Sequence, residues 1–204
     1  MNRITSQFSG SKTLRWLIVI FLSVMAAGCS KKESAIESLK SKNVTISADS
    51  LGVFASQGDL VTVKLLVDAG VDVNAKNAHG GNALTDAAWS GRQEVVSYLL
   101  DAKADLGSAS AGQLTPLSAA VNQKHEGTAL ILIEHGANPN MVDPTGSTPL
   151  IEASWQGSLP LAKALLAKGA NASYKRPDNG FTALKAAGSR TEIVLLLKAA
   201  GATE

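Results

Sequence analysis

Thr115-Pro116-Leu117-Ser118-Ala119-Ala120 returns 33 residues later as Thr148-Pro149-Leu150-Ile151-Glu152-Ala153, and this interval decides the fold. Applied backwards, it reaches Asn82-Ala83-Leu84-Thr85-Asp86-Ala87-Ala88 and then Asp49-Ser50-Leu51-Gly52-Val53-Phe54-Ala55. A further copy, Thr182-Ala183-Leu184-Lys185-Ala186-Ala187, arrives one residue late because the loop Pro177-Asp178-Asn179-Gly180 is longer. Self-similarity at a fixed period marks stacked supersecondary units that bury their apolar faces on one another, not one globular core.

Each unit carries its own punctuation. Nine residues in stand Gly58, Gly91, Lys124 and Gly157, and twenty-one residues in stand Gly70, Lys103, Gly136 and Gly169. Between them run apolar residues at helical spacing, such as Val95, Val96, Leu99 and Leu100. A helix that must stop sharply favours glycine just past its last turn, because glycine adopts positive φ without penalty. Each unit therefore reads as helix, turn, helix, glycine stop and loop. Lys103 and Lys124 break the rule and should cost local stability.

The pattern resembles the ankyrin repeat from roughly Ala48 to Thr203. The residues that carry the resemblance are the Thr-Pro-Leu openings, the Ala pairs, the mid-unit glycines, and the ends Gly136-Ala137-Asn138 and Gly169-Ala170-Asn171. It implies an all-α solenoid of about five helix-turn-helix units, near 49–81, 82–114, 115–147, 148–181 and 182–204, within a repeat domain at 48–204. The family's His after Thr-Pro-Leu is absent from every unit, where Gly52, Thr85, Ser118, Ile151 and Lys185 stand, so the loop-bridging hydrogen bonds of that His lack their usual donor. The last unit reaches Gly201 nineteen residues after Thr182, two fewer than the others, as suits a terminal cap.

The N-terminus suggests an address. Arg3, Lys12 and Arg15 precede the apolar run from Trp16 to Ala27, which ends on Gly28-Cys29. The run is short of the about 20 apolar residues that span a bilayer, and it matches the apolar region of a secretory signal, placed here at 1–28. Small residues before the chain's single cysteine resemble the lipobox of bacterial lipoproteins, although Ala26 stands where Leu is commonest. That resemblance implies acylation of Cys29. The other reading is ordinary cleavage after Ala27 or Gly28, leaving Cys29 as a free thiol. Because Ser30 is not the Asp that favours inner-membrane retention, the lipoprotein pattern implies the periplasmic face of the outer membrane. Residues 29–47 read as a tether or an N-terminal capping segment, with Ala35, Ile36 and Leu39 as a thin apolar stripe among charges.

Charge argues against nucleic acid. The formal net charge is +2, and without Arg3, Lys12 and Arg15 there remain 16 basic against 17 acidic residues, too balanced for phosphate binding. Catalytic constellations are missing as well. His125-Glu126 begins like a zinc-protease motif, but the second histidine would fall at Ala129. His125 and His135 occupy slots where the repeat family often carries a scaffold histidine, and Ser9-Gly10-Ser11-Lys12 lies within the signal. The expectation is a protein without enzymatic activity, cofactor, metal or small-molecule substrate.

What remains is binding to a protein. The resemblance implies that the first helix of each unit and the loop before it line a concave face. Late in those helices stand Trp89, Asn122, Gln123, Trp155 and Gln156, with Arg190 in the last unit; His79 and Phe181 lie in the preceding loops. The two tryptophans are two units apart, roughly 20 Å if neighbouring helices are about 10 Å apart. Each indole is read either as an interface anchor or as a ring folded down over the core, and Phe181 as a third anchor or a plug under the long loop. Periplasmic members of the family imply two roles: an immunity protein neutralising an envelope-targeting toxin such as a secreted phospholipase, or an accessory scaffold stabilising a periplasmic enzyme.

Overall fold

The structure is a computed structural model that describes residues 30–78, 80–107 and 114–203. Among these residues stand a helix over 30–41 (α1) and then α2 (Ala48–Gln57), α3 (Leu60–Asp68), α4 (Ala83–Trp89), α5 (Gln93–Asp101), α6 (Pro116–Asn122), α7 (Glu126–Glu134), α8 (Pro149–Gln156), α9 (Leu159–Ala167), α10 (Ala183–Ala187) and α11 (Thr191–Ala199). From α2 onward they form five antiparallel pairs in series. Each first helix packs on the next first helix, and each second helix on the next second helix. The first-helix row is the more closely packed of the two, as expected of the concave side that the repeat resemblance implies. Alanines at the contacts, Ala87, Ala88, Ala119, Ala120, Ala153, Ala186 and Ala187, permit the close approach.

The unit openings act as helix caps. Asn82, Thr115, Thr148 and Thr182 each accept a hydrogen bond from the backbone N–H three residues on, satisfying an otherwise orphaned donor. Pro116 and Pro149 follow where a missing N–H costs nothing. The first unit departs from the frame. Its cap is Ser47, which accepts from the Ser50 N–H, so α2 starts two residues before the aligned position. Asp49 instead accepts from the Ala78 N–H of the next loop at 2.7 Å. In the last unit the trimming falls on α10, which has 5 residues, while α11 keeps the usual 9.

The stops are equally regular. Gly58, Gly91 and Gly157 have positive φ, and Lys124 joins them at +62°. At the unit ends Lys103 does the same at +68°, among Gly70, Gly136, Gly169 and Gly201. Both lysines thus occupy the left-handed region that an L side chain pays for.

Two columns of leucine fill the core at the repeat interval. Leu51, Leu84, Leu117 and Leu150 come from first helices; Leu66, Leu99, Leu132 and Leu165 come from second helices, and none exceeds 1% exposure. Each such side chain is worth about 1.5–3 kcal/mol of burial. The segment read as tether or cap is α1, whose Ala35 and Leu39 are buried at 3% and 0% and close the open end of the first unit. Lys31 adds an ion pair to Asp68 at 2.9 Å. None of the helices among the described residues is long and apolar enough to cross a membrane. Residues 1–29, with Cys29, lie outside the described part.

The loops are riveted through one position per unit. Asn74 donates to the Lys103 carbonyl and accepts from the Asp105 N–H; Asn140 does the same with Gly169 and Asn171; Ser173 donates to the Gly201 carbonyl. The equivalent residue between the second and third units is Gly107, which has no side chain to offer. In place of the family's loop-bridging His, Asn77 links the Gly81 N–H to Asp86, and buried Asp143 accepts from the Thr145 and Ser147 N–H groups.

Candidate functional site

The two indoles emerge in the last turns of first helices. Trp89 ends α4 and is 46% exposed; Trp155, next to last in α8, is 61% exposed. Neither ring is folded into the core. Phe181 is half-buried and meets the Trp155 ring edge-on, with centroids 6.4 Å apart and planes at 63°. The longer loop of the fourth unit makes this pairing possible. Its ends are joined by an isolated antiparallel bridge, Lys175 to Thr182, and the Arg176 N–H donates to the Phe181 carbonyl.

Beside the aromatic pair lies a cavity of about 230 Å³ lined by Ile151, Glu152, Trp155, Arg176 and Phe181. The Arg176 guanidinium is held by Asp178 at 3.0 Å and by the Thr145 carbonyl. Tyr174 anchors the same loop by donating its hydroxyl to the Gly146 carbonyl at 3.1 Å.

The remaining polar candidates divide. Gln123 is exposed at the end of α6. Asn122 donates to Asp143 at 3.3 Å and thereby supports a loop. Gln156 donates to the Val121 carbonyl at 2.7 Å, bridging neighbouring units. Arg190 is exposed yet directs its guanidinium to the Ala186 and Ala187 carbonyls. His79 lies outside the described residues. The exposed tryptophans and Gln123 thus stand at the surface, while Gln156 bonds across units and Asn122 and Arg190 bond within their own.

A second row, which the helix-end positions do not mark in the sequence, lies three residues earlier in each unit. Val53, 50% exposed, Asp86 and Glu152 occupy it. A second cavity, of about 250 Å³, is lined by Asp49, Gly52, Val53, Ser56, Asn77 and Asp86. A Cβ on Gly52 would meet the Asp86 carboxylate, so a larger residue there forces that side chain to shift. The clue in the sequence was this glycine, placed mid-helix at a cost of about 1 kcal/mol relative to alanine.

The second-helix side has its own electrostatics. Lys64 stands over the Tyr98 ring, 5.4 Å from its centroid, and burial raises the Tyr98 phenol above its ordinary value. Hydrogen bonds from the Thr62 backbone and hydroxyl hold the Asp59 carboxyl below its usual range. Among the described residues no three His, Cys, Asp or Glu side chains are grouped to hold a metal ion.

Comparison with known proteins places this geometry. The family model described as ankyrin repeats in three copies matches residues 23–110 and 117–203. The B-cell lymphoma 3 protein homolog of Mus musculus is 37% identical over 128 residues, 62% of this chain and 28% of that protein. YahD of Escherichia coli (strain K12), named for its ankyrin repeats, is 31% identical over 118 residues, 55% of this chain and 59% of its own. Serine/threonine-protein kinase 12 of Arabidopsis thaliana is 36% identical over 87 residues, 43% of this chain and 19% of the kinase. The chain therefore spans from 19% to 59% of the length of these curated relatives. Because the repeat model covers well over half of the chain, across both halves of the stack of helix pairs, the chain belongs to the ankyrin-repeat family.

Proposed function

We propose that this protein is a non-enzymatic scaffold that binds another protein through its concave, first-helix face, held at the bacterial envelope by a lipid on Cys29. The observation that carries the binding role is the pair of tryptophans, 46% and 61% exposed on the first-helix row and two units apart. Leaving two large apolar rings in water gains nothing for a monomer, and Trp contributes disproportionately to interfaces. The envelope address rests on the basic N-terminus, the apolar run and the single cysteine after Ala26-Ala27-Gly28. The proposed address is the periplasm, on the outer membrane's inner surface, with a periplasmic enzyme or toxin as the proposed partner. A toxin encoded beside it favours neutralisation; an enzyme favours stabilisation.

Capture from envelope extract tests the binding role. The wild type should retain a partner that Trp89→Ala plus Trp155→Ala loses, since each anchor residue is worth about 2 kcal/mol or more. Equal recovery by both rules out the aromatic face. For the anchor, Cys29→Ser should abolish acyl labelling and release the protein from the membrane fraction; undiminished labelling refutes it.

A further inference from the structure

The cavity beside Trp155 is built from an aromatic wall and two charged groups with different fates. It holds about 230 Å³ and is lined by Ile151, Glu152, Trp155, Arg176 and Phe181. Sites that enclose a whole small molecule run to about 300–1,000 Å³, so this space suits a single side chain. The Arg176 guanidinium is already matched within its own loop. Its Nε meets Asp178 at 3.2 Å and a terminal nitrogen meets it at 3.0 Å, and that nitrogen also donates to the Thr145 carbonyl. Glu152 is different. It is half-buried on α8 and accepts from the Ser147 hydroxyl at 2.8 Å, a neutral donor, and it takes part in no ion pair among the described residues. Lys185, on the next first helix, turns its ammonium to the Gly180 carbonyl at 3.4 Å and borders a separate cavity.

Glu152 and Trp155 stand three residues apart on α8, a spacing that puts both on one helix face. The indole is 61% exposed, yet Phe181 braces it edge-on, with centroids 6.4 Å apart. A ring and a carboxylate that are both held before anything binds lose little freedom when it does. The two attract the same kind of group, a cation, which gains from the ring face and from the counter-charge together. A guanidinium fits better than an ammonium, because its plane stacks on the indole while its N–H fork meets the carboxylate. The ring half of this chemistry already operates within the molecule, where Lys64 covers Tyr98 at 5.4 Å.

Resting on the binding role proposed above, we infer that this cavity receives one arginine side chain of the protein partner, stacked on Trp155 and paired with Glu152. The arginine is the specific contact of the fourth unit, and the indole alone is not.

The test titrates the full-length protein with N-acetyl-L-arginine amide at constant ionic strength and follows the indole N–H resonances by NMR. The Trp155 resonance, assigned by its loss in Trp155→Phe, should shift saturably with its midpoint near about 50 mM, and the Trp89 resonance should stay in place. The neutral N-acetyl-citrulline amide should bind about fivefold more weakly. Glu152→Gln keeps an acceptor for the Ser147 hydroxyl; it should weaken arginine binding about fivefold and leave citrulline binding unchanged. Equal binding of the two amides, an unaffected Glu152→Gln variant, or a Trp155 resonance that does not move over this range overturns the inference. Capture from envelope extract separates this contact from the binding role. A partner lost by the tryptophan variant and kept by Glu152→Gln refutes the arginine contact and leaves the binding face standing, whereas a partner kept by both refutes the face itself.

Discussion

Thr62 and Thr128 hold the same place in their units, and their fates show how one neighbour decides whether a buried hydroxyl is affordable. Thr62 donates to Asp59 at 2.7 Å, the cap of its helix. At the aligned cap of α7 stands His125, which makes no side-chain capping bond, and the fully buried Thr128 hydroxyl has no partner. The aligned residues elsewhere are Val95 and Leu161. An unmade buried hydrogen bond costs about 1–3 kcal/mol, and valine matches threonine in shape. Thr128→Val should therefore raise the stability by about 1 kcal/mol in urea unfolding, whereas Thr62→Val, which breaks a made bond, should lower it. None of this was legible in the sequence, because a threonine at an apolar position looks the same whether or not its cap can accept.

At the scale of the element, the turn between paired helices explains its own exceptions. A Cβ on Gly91 would meet His125 Nδ1 at 2.6 Å, and one on Gly157 would meet Arg190 Nε at 2.7 Å, so the next unit's cap residue covers each glycine. Where the turn residue is Lys124, the next cap is Ser158, short enough to leave room and tied instead to Glu126. Glycine thus answers two demands at Gly157, positive φ and contact, and only one at Lys124. Gly157→Ala should lower stability by about 1–2 kcal/mol, and Lys124→Gly should raise it by about 0.5–1 kcal/mol, both measured by denaturant midpoint.

The turns, stops and caps were legible because each depends on residues within a few positions. Ser47 was not, since Ser47, Asp49 and Ser50 can all cap and only the docking of α1 and α2 selects among them. The Ala35 and Leu39 stripe was visible, but its burial required a surface that exists only once the first unit has folded. The tryptophans could be placed on the first-helix row from the period alone. The Trp155 contact with Phe181 depends on how the longer loop folds back, and Asn122, Gln156 and Arg190 looked like surface residues because their acceptors are carbonyls that no sequence pattern marks.

For the molecule as a whole, the missing rivet matters most. Asn74, Asn140 and Ser173 tie successive units through their loops, and Gly107 leaves the junction of the second and third units without that tie. Beside it lies a cavity of about 190 Å³ lined by Leu106, Gly107, Leu117, Ala137 and Met141 among others. In a stack held only by nearest neighbours, stability is a sum over units and interfaces, so this junction should be the first to separate. A Cβ on Gly107 would touch only an Asp105 oxygen at 3.5 Å, an ordinary contact, and its φ is not positive. Gly107→Asn should add the missing bonds and raise stability by about 1 kcal/mol. Hydrogen exchange should show the gain in the second and third units together; a gain confined to one unit, or none, contradicts the assignment.

The two rows of helices also make opposite claims about where a partner sits. Val61 and Leu195 are 63% and 62% exposed on the second-helix row, as accessible as the tryptophans on the first. Exposure alone therefore does not distinguish the faces, but contact in the cell does. With the photoreactive residue p-benzoylphenylalanine installed singly at Trp89, Trp155, Val61 or Leu195 and the cells irradiated, a crosslinked partner should form from Trp89 and Trp155 and not from Val61 or Leu195. Crosslinks from Val61 and Leu195 with none from the two tryptophans would contradict the account.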